Sequence, residues 1–368
     1  MKKIVHIITG LGSGGAENML YKLLKNTDKD KYYHEVITLI DEGVMGEKIK
    51  AEGIRIHSLN LTVNNFFGSL IMARNICKDF DIVNTWLYHA DIFGFIIAKV
   101  LLRKRLIWNI RHSNLDKEAN KSRTLKIIKV NSILSRFVNA ISYNSIRAFE
   151  NHKNIGYVNK KSINISNGFD LDRFKFEPKD RIRIRKELSL LEEDNVLLTV
   201  GRWNIQKDYY TLVKALNELK AERVNFKMIM VGNGLNYSNK DLLTLIDQFD
   251  LSKYVILLGQ RTDIPAVLSA ADVYVSSSLG ESFSNAIAEA MACQVPCVVT
   301  DVGDSKLIVD DSGFVVKPKD YLNLAKKILE LINGSDYRNI GLKARARVVQ
   351  KYDIKEITKI YEKTIFDG

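Results

Sequence analysis

Residues 2–18 read KKIVHIITGLGSGGAEN and combine a strand pattern, a glycine turn and the start of a helix. The apolar run from Lys3 to Ile8 has the length of a buried strand. Gly10, Gly12 and Gly15 follow it with the G-x-G-x-x-G spacing. Such glycines let the backbone approach an anion at the N-terminus of a helix. The stretch therefore predicts the first βα unit of a parallel sheet, with a phosphate group nearby.

Short apolar runs alternate with amphipathic stretches along the rest of the chain, a pattern typical of parallel sheets wrapped by helices. The strands predicted in the first half are Lys3–Ile8, Glu35–Ile40, Ile54–Leu59, Ile82–Trp86, Leu106–Ile110, Val138–Ser142 and Ser162–Ser166. Those predicted in the second half are Val196–Val200, Lys227–Val231, Val255–Leu258, Val273–Ser276, Cys297–Thr300 and Gly313–Val316. Each series is long enough for its own doubly wound sheet, so we expect an α/β protein with two Rossmann-like domains facing across a cleft.

The domain limits follow from the stretch between the two series, which is rich in charge and poor in strand formers. We predict a first domain over 1–169, a linker over 170–195 and a second domain over 196–350. The total of 368 residues fits two domains. The last helical patterns have no strands between them. For 351–368 we expect a surface helix, with a return to the first domain as an open alternative.

Composition excludes several classes of protein. The longest strongly apolar run, Ile92 to Leu102, has 11 residues and contains Lys99, so no membrane-spanning helix is expected. The N-terminus shows no signal-peptide pattern, and we expect a cytoplasmic protein. Three cysteines cannot build a disulfide framework, and no second ligand pair accompanies Cys293 and Cys297, so reduced thiols and no zinc site are expected.

Charged residues follow two strands of the second half. Arg202 and Lys207 come after the first of these strands, and a guanidinium and an ammonium at this spacing suit a diphosphate. Two solvated loop cations are the alternative. Glu281 and Glu289 lie on a loop and on the helix that follows it. The free N–H groups of that helix suit a phosphate and the carboxylates suit sugar hydroxyls, but a capping and a surface glutamate would give the same spacing.

Several motifs together resemble glycosyltransferase family 4, and they occur in that family's order over nearly the whole chain. They are Gly14-Gly15-Ala16-Glu17, Ser166-Asn167-Gly168-Phe169-Asp170 with Arg173-Phe174, Val200-Gly201-Arg202 with Lys207, Val231-Gly232-Asn233-Gly234, and Glu281-Ser282-Phe283 through Glu289-Ala290-Met291-Ala292-Cys293 to Pro296. Ser282 and Gln294 depart from it, since the family usually has glycine at both places. The resemblance therefore does not identify the sugar.

The resemblance implies a GT-B fold and a retaining transferase that uses a nucleotide-diphosphate sugar, with no metal and no cofactor. It implies that Arg202 and Lys207 hold the diphosphate, that Glu289 binds the ribose and that Glu281 faces the transferred sugar. His112 would contact the donor sugar and act in catalysis with Arg202, Lys207 and Glu281. The remaining residues expected to bind the donor are Gly14, Gly15, Asn233, Gly234, Arg261, Phe283, Ser284 and Asn285.

The net charge of +12 is concentrated in one segment of the first half. Its basic residues are Lys117, Lys121, Arg123, Lys126, Lys129, Arg136 and Arg147, and its only acid is Glu118. No recognised nucleic-acid module accompanies this charge, so we expect no nucleic-acid partner. A solvated face remains open. The alternative is attraction to an anionic membrane surface, which would suit a lipid-linked acceptor.

The sequence thus predicts a retaining glycosyltransferase at the inner face of the plasma membrane. It would move a sugar, most simply from a UDP-sugar, to a glycan on a polyprenyl-diphosphate carrier in surface polysaccharide biosynthesis. Two alternatives remain. An NAD-dependent oxidoreductase would use Gly10, Gly12, Gly15 and Asp41 and have no role for Arg202 or Lys207. A non-catalytic subunit would bind the sugar nucleotide without transferring its sugar.

Overall fold

The protein consists of two compact units, here in a computed structural model that describes residues 1–115, 121–334 and 337–368. Unit 1 contains Met1–Gly168 together with Ile354–Gly368, and unit 2 contains Phe169–Asp353. Each unit has its own parallel sheet with helices on both faces.

Unit 1 is built on a seven-stranded sheet with the order β3-β2-β1-β4-β5-β6-β7. Its strands are β1 (Lys2–Ile8), β2 (Tyr32–Thr38), β3 (Arg55–Ser58), β4 (Ile82–Trp86), β5 (Arg105–Ile110), β6 (Ala140–Tyr143) and β7 (Ser162–Asn164). Its helices are α1 (Gly15–Asn26), α2 (Gly43–Ala51), α3 (Phe66–Cys77), α4 (Tyr88–Phe95) with a π-helical segment (Ile96–Leu101), α5 (Ser122–Leu134) with a 3-10 turn (Ser135–Phe137), and α6 (Ile146–Asn154).

Unit 2 is built on a six-stranded sheet with the order β10-β9-β8-β11-β12-β13. Its strands are β8 (Asn195–Val200), β9 (Phe226–Val231), β10 (Val255–Gly259), β11 (Val273–Ser276), β12 (Cys297–Thr300) and β13 (Gly313–Val316). Its helices are α7 (Pro178–Glu187), α8 (Tyr209–Ala221), α9 (Lys240–Asp247), α10 (Ile264–Ala270), α11 (Asn285–Ala292), α12 (Ser305–Val309), α13 (Tyr321–Asn333) and α14 (Tyr337–Tyr352). The chain then returns to unit 1 with α15 (Ile354–Tyr361) and a π-helical segment (Glu362–Phe366).

The strand and helix patterns predicted from the sequence are found in the structure. All thirteen predicted strands are present, with ends that differ by a few residues. The predicted α/β class with two Rossmann-like domains is confirmed. The strands read as continuous apolar runs because both faces of each sheet are covered. In β4, for example, all five residues are buried.

The segment predicted as a linker, 170–195, lies inside unit 2 and contains α7. Ile184 is buried, and the Arg181 and Arg185 guanidinium groups bind the two carboxylate oxygens of Asp272 at 2.8 and 3.3 Å. The sequence suggested a linker because this stretch is rich in charge and poor in strand formers. The partner of these two arginines lies some ninety residues away along the chain, so local charge density could not reveal the helix that they anchor.

The basic segment of unit 1 is interrupted by a strand. Lys126 and Lys129 lie on α5, whereas Arg147 lies beyond β6 on α6. Lys117 and Glu118, which belong to the predicted segment, lie outside the described residues. Within the described ranges, no helix combines the length and apolar content needed to cross a membrane. The thiols of Cys77, Cys293 and Cys297 are buried and unbridged.

Candidate active site

The candidate site of unit 2 lies at the carboxyl edge of its sheet, between β8 and β11. The next two strands of the chain, β9 and β10, lie on one side of β8. The later strands β11, β12 and β13 lie on its other side. This makes the β8–β11 boundary the switch point of the sheet, where open α/β folds bind ligands. Arg202 and Lys207 follow β8, and Glu281 follows β11, so the fold brings these predicted residues to the same edge.

Lys207 and Glu281 form the central contact of this edge. The Lys207 Nζ lies 2.5 Å from the Glu281 Oε1, and the Ser278 hydroxyl donates to the same oxygen at 3.0 Å. The side chains of the pair are 24% and 16% exposed. The ammonium group has three N–H donors and this bond uses one of them, so it can still donate to an anion.

The loop that carries both cations is fixed at its end by α8. The Trp203 ring stacks on the Tyr209 ring with centroids 5.3 Å apart. Asp208 caps α8 by accepting from the Thr211 backbone N–H and hydroxyl. Arg202 is exposed, and within the described part of the chain its guanidinium makes no ion pair. Arg202 therefore presents its donors to solvent, on the same loop as the partly buried Lys207.

Two glycines let neighbouring loops approach this edge closely. Gly232 has φ +141°, and a Cβ at that position would overlap the carbonyl oxygen of Gly201. Gly303 has φ +55°, and a Cβ there would overlap the carbonyl oxygen of Glu281. Only glycine combines these backbone angles with such close backbone contact. The loops after β8, β9, β11 and β12 are thereby held together.

Helix α11 begins beside Glu281, and its first turn contains no acidic residue. Ser284 is its N-cap residue and makes no side-chain capping bond. Asn285 and Glu289 are one helical turn apart on the same face, and both are partly buried. This end of α11 can bind an anion, and Glu289 lies one turn further into the helix.

Two residues predicted to bind the donor have other contacts in unit 2. The Phe283 ring is 6% exposed and packs between Phe169 and Tyr352, with centroids 6.1 and 5.3 Å away. The Arg261 guanidinium binds both carboxylate oxygens of Asp263, at 2.8 and 2.7 Å, and Glu187 on α7 at 2.7 Å. These bonds raise the pKa of Arg261 above its ordinary value. Asn233 is exposed in the glycine loop after β9, and its carbonyl accepts from the Trp203 N–H.

In unit 1, the loop with Gly14 and Gly15 follows β1 and leads into α1, as predicted. The Asn18 side-chain amide closes the loop by donating to the carbonyls of Ser13 and Gly14 at 3.2 and 2.8 Å. The Glu17 carboxyl group lies against Gly14, and burial raises its pKa. A carboxyl group therefore stands at the α1 N-terminus, which the glycine spacing did not suggest.

His112 follows β5 at the carboxyl edge of the unit 1 sheet and is partly buried. The Tyr88 ring meets it edge to face at 6.5 Å, and the Tyr88 hydroxyl lies 2.9 Å from His152 Nε2. The Asn151 amide donates to the Ser113 carbonyl at 2.7 Å and fixes the loop. Sequence reasoning missed Tyr88 and Asn151 because each is distant from His112 along the chain.

Sequence reasoning also missed the serines after β11 that support the site. The Ser277 hydroxyl donates to the carbonyls of Lys207 and Asp208 at 2.9 Å, and Ser278 bonds Glu281. The run of three serines, Ser276 to Ser278, directly after a buried strand was the available signal.

The candidate site of unit 2 lies within the part of the chain that matches a family model. Residues 194–334, within unit 2, match the family model described as Glycosyl transferases group 1. The chain is 27% identical over 236 residues to N-acetyl-alpha-D-glucosaminyl L-malate synthase of Bacillus anthracis, an alignment that covers 63% of this chain and 60% of that protein. It is 28% identical over 218 residues to the UDP-Gal:alpha-D-GlcNAc-diphosphoundecaprenol alpha-1,3-galactosyltransferase of Escherichia coli, with 55% and 54% covered. The chain thus spans less than two thirds of the length of these relatives.

The fold is similar to that of solved GT-B structures. The Anabaena protein Alr3699/HepE, solved in complex with UDP and glucose, superimposes with a TM-score of 0.87 over the full length of both chains at 22% identity. Neither the family model nor this fold favours the NAD-dependent oxidoreductase. Unit 2 therefore contains a match to Glycosyl transferases group 1, and the chain has a GT-B fold.

Proposed function

We propose that this protein is a retaining glycosyltransferase that moves a sugar from a nucleotide-diphosphate donor, a UDP-sugar, to a lipid-linked glycan acceptor in surface polysaccharide biosynthesis. The observation that carries the proposal is the Lys207–Glu281 pair at the switch point of the unit 2 sheet, with the exposed Arg202 on the same loop as Lys207. The lipid-linked acceptor rests on the galactosyltransferase relative, whose name specifies a diphosphoundecaprenol carrier.

The charges of the site suit the leaving group of this reaction. Cleavage of the bond between sugar and diphosphate develops negative charge on the phosphates. Lys207, Arg202 and the N-terminus of α11 present fixed positive charge and N–H donors, which lower the barrier when they meet that charge in a water-poor site. Because these groups supply the positive charge, we propose that the reaction needs no bound metal and no cofactor.

The retaining course is part of the proposal. In it, the acceptor hydroxyl attacks from the face that the diphosphate leaves, the phosphate oxygen takes the proton of that hydroxyl, and the C–O bond to the diphosphate breaks as the new one forms. Glu281 would face the sugar while its Oε1 holds the Lys207 ammonium in place. Glu289 would bind the ribose, and His112 of unit 1 would contact the donor sugar.

A peripheral position at the inner face of the plasma membrane completes the proposal. Its support is the set of exposed cations on and beside α5, which are Lys121, Arg123, Lys126, Lys129 and Arg136. Each basic residue near an anionic leaflet contributes about 1 kcal/mol of attraction. Such a position would bring the protein to a carrier lipid.

Two alanine variants test the proposal. Arg202→Ala and Lys207→Ala should each abolish sugar transfer from a UDP-sugar to a lipid-linked glycan while the circular dichroism spectrum stays native. Arg183→Ala, which removes an exposed guanidinium on α7, is the matched control and should keep full activity. Near-normal turnover in both site variants would contradict the assignment. A thermal-shift screen with UDP, GDP, ADP and NAD accompanies the assay, and stabilisation by NAD alone would favour the oxidoreductase.

A further inference from the structure

The helices on one face of the unit 1 sheet expose an unusual combination of apolar and basic side chains. This face, named the α3–α5 layer, consists of α3, α4 with its π-helical segment, and α5 with its 3-10 turn. In it α3 packs against the π-helical segment and α4 packs against α5. Their inward side chains share one core with the sheet. We propose that the α3–α5 layer is a membrane-docking face whose exposed apolar side chains insert into an anionic lipid bilayer.

Apolar side chains protrude from each part of the layer. The most exposed are Val63 (94%), just before α3, and Phe67 (79%) and Ile71 (62%) on α3, followed by Val100 (63%), Ile133 (57%) and Phe137 (58%). Phe67 and Ile71 are four residues apart and therefore line one side of α3, and Val63 lies just before the helix. Val130 and Ile133 on α5 continue to Phe137 with helical spacing in the same way. Contiguous exposed apolar surface of this kind marks an interaction site.

The charge of the α3–α5 layer indicates which kind of partner would cover it. Helix α3, the π-helical segment, α5 and its 3-10 turn contain no Asp or Glu, and Asp91 of α4 is fully buried. Exposed cations stand among the apolar side chains of these segments: Arg74 on α3, Arg123, Lys126 and Lys129 on α5, and Arg136 in the 3-10 turn. The buried centre of a protein–protein interface is depleted in charge, whereas a bilayer surface takes apolar side chains in its acyl region and cations at its phosphates. An anionic bilayer is therefore the partner that fits both features.

The position of the α3–α5 layer would also bring the protein close to a lipid-linked acceptor. This part of the inference rests on the proposed function. Helices that follow parallel strands begin at the carboxyl edge of the sheet, so Phe67 at the start of α3 lies near the edge that carries the glycine loop and His112. A bilayer along the layer would border this edge. The head group of a lipid-linked acceptor could then reach the edge without leaving the bilayer.

Flotation of the full-length protein with lipid vesicles tests the docking face. The protein should float with vesicles of phosphatidylcholine and phosphatidylglycerol. At about 1 M salt, where the Debye length is about 3 Å, part of the binding should persist because inserted apolar side chains are not screened. The double variant Phe67→Ser/Ile71→Ser should weaken partitioning by at least about tenfold. The control Ile182→Ser/Leu322→Ser changes two comparably exposed apolar residues of unit 2 and should float like the native protein.

The outcomes separate this inference from the proposed function. Unchanged flotation of the α3 variant, complete loss of native flotation at high salt, or equal loss in the control would each overturn the docking face, whatever the transferase activity. Loss of flotation in the α3 variant with an unchanged melting temperature would support it. If that variant still transfers sugar to a water-soluble acceptor but loses activity on a vesicle-bound one, the docking face serves the proposed reaction. If the native protein shows no transfer at all, the proposed function fails while the flotation result stands.

Discussion

Replacement of Lys207 by Met separates the structural role of this ammonium from its role toward a ligand. The change keeps most of the side-chain volume but removes the cation that binds Glu281 Oε1 at 2.5 Å. Loss of one partner costs about 3–5 kcal/mol for a fully buried ion pair, and surface pairs are worth about 0.2–1 kcal/mol. With 24% and 16% exposure the pair lies between these limits, so we expect a loss of about 1–3 kcal/mol of stability. For a unit of this size that lowers the melting temperature by about 2–12 °C.

The ligand response is measured in the same thermal-shift assay. For the native protein, UDP at about one hundred times its dissociation constant should add about 2.7 kcal/mol of stability. Lys207→Met should lose most of this shift at the same UDP concentration. The double variant Lys207→Met/Glu281→Gln removes the uncompensated carboxylate and should regain most of the melting temperature without regaining the UDP shift. Lys227→Met, a partly buried lysine whose ammonium binds the Lys253 carbonyl, is the control and should respond to UDP as the native protein does. A native UDP shift in Lys207→Met would refute the phosphate role of Lys207.

Two further predictions concern the folding of the units. Gly232→Ala should destabilise unit 2 by more than about 1 kcal/mol in urea unfolding, because its φ of +141° and the Gly201 carbonyl leave no room for a Cβ; an unchanged midpoint would contradict this. Burial lowers the pKa of His34 to about 3 and that of His6 well below its usual value, so both are neutral when folded and gain protons on unfolding. Stability should therefore fall below about pH 6.5, by up to about 1.4 kcal/mol per pH unit for each histidine. His34→Gln should flatten this slope, and an identical slope would rule the pair out as its source.

Elements fixed by local pattern were predictable from the sequence. Strands such as β4 are buried along their whole length, and their apolar runs mark them directly. The glycine loop after β1 also lies where its G-x-G-x-x-G spacing predicted it, between a strand and a helix. What escaped prediction were contacts between residues far apart in sequence. Arg261 resembled a ligand-binding cation, but Glu187 and Asp263 hold its guanidinium between α7 and the loop after β10.

In the candidate site, too, local spacing was predictable and long-range contacts were not. The spacing of Arg202 and Lys207 predicted cations at the edge of a sheet but did not distinguish a diphosphate site from solvated charges. The direct contact of Lys207 with Glu281, 74 residues away, shows that Lys207 is not a solvated loop cation, and it follows from the adjacency of β8 and β11. Sequence spacing contains no information on which strands become neighbours at the switch point. The resemblance gave Lys207 and Glu281 separate roles toward one donor, and the structure shows that the two side chains form an ion pair.

The two units also differ in how they use their positive charge. In unit 2, Arg181, Arg185, Arg261 and Lys207 each bind a carboxylate, so these cations hold the fold and the site together. In the α3–α5 layer, within the described residues, the exposed arginines and lysines form no ion pair, and the helices that bear them have no acid to offer. Unpaired cations crowded on one face repel one another, and the fold gains nothing from them. An external anion would relieve this repulsion. Of the available anions, a bilayer surface is the one that also covers the exposed Phe67, Ile133 and Phe137.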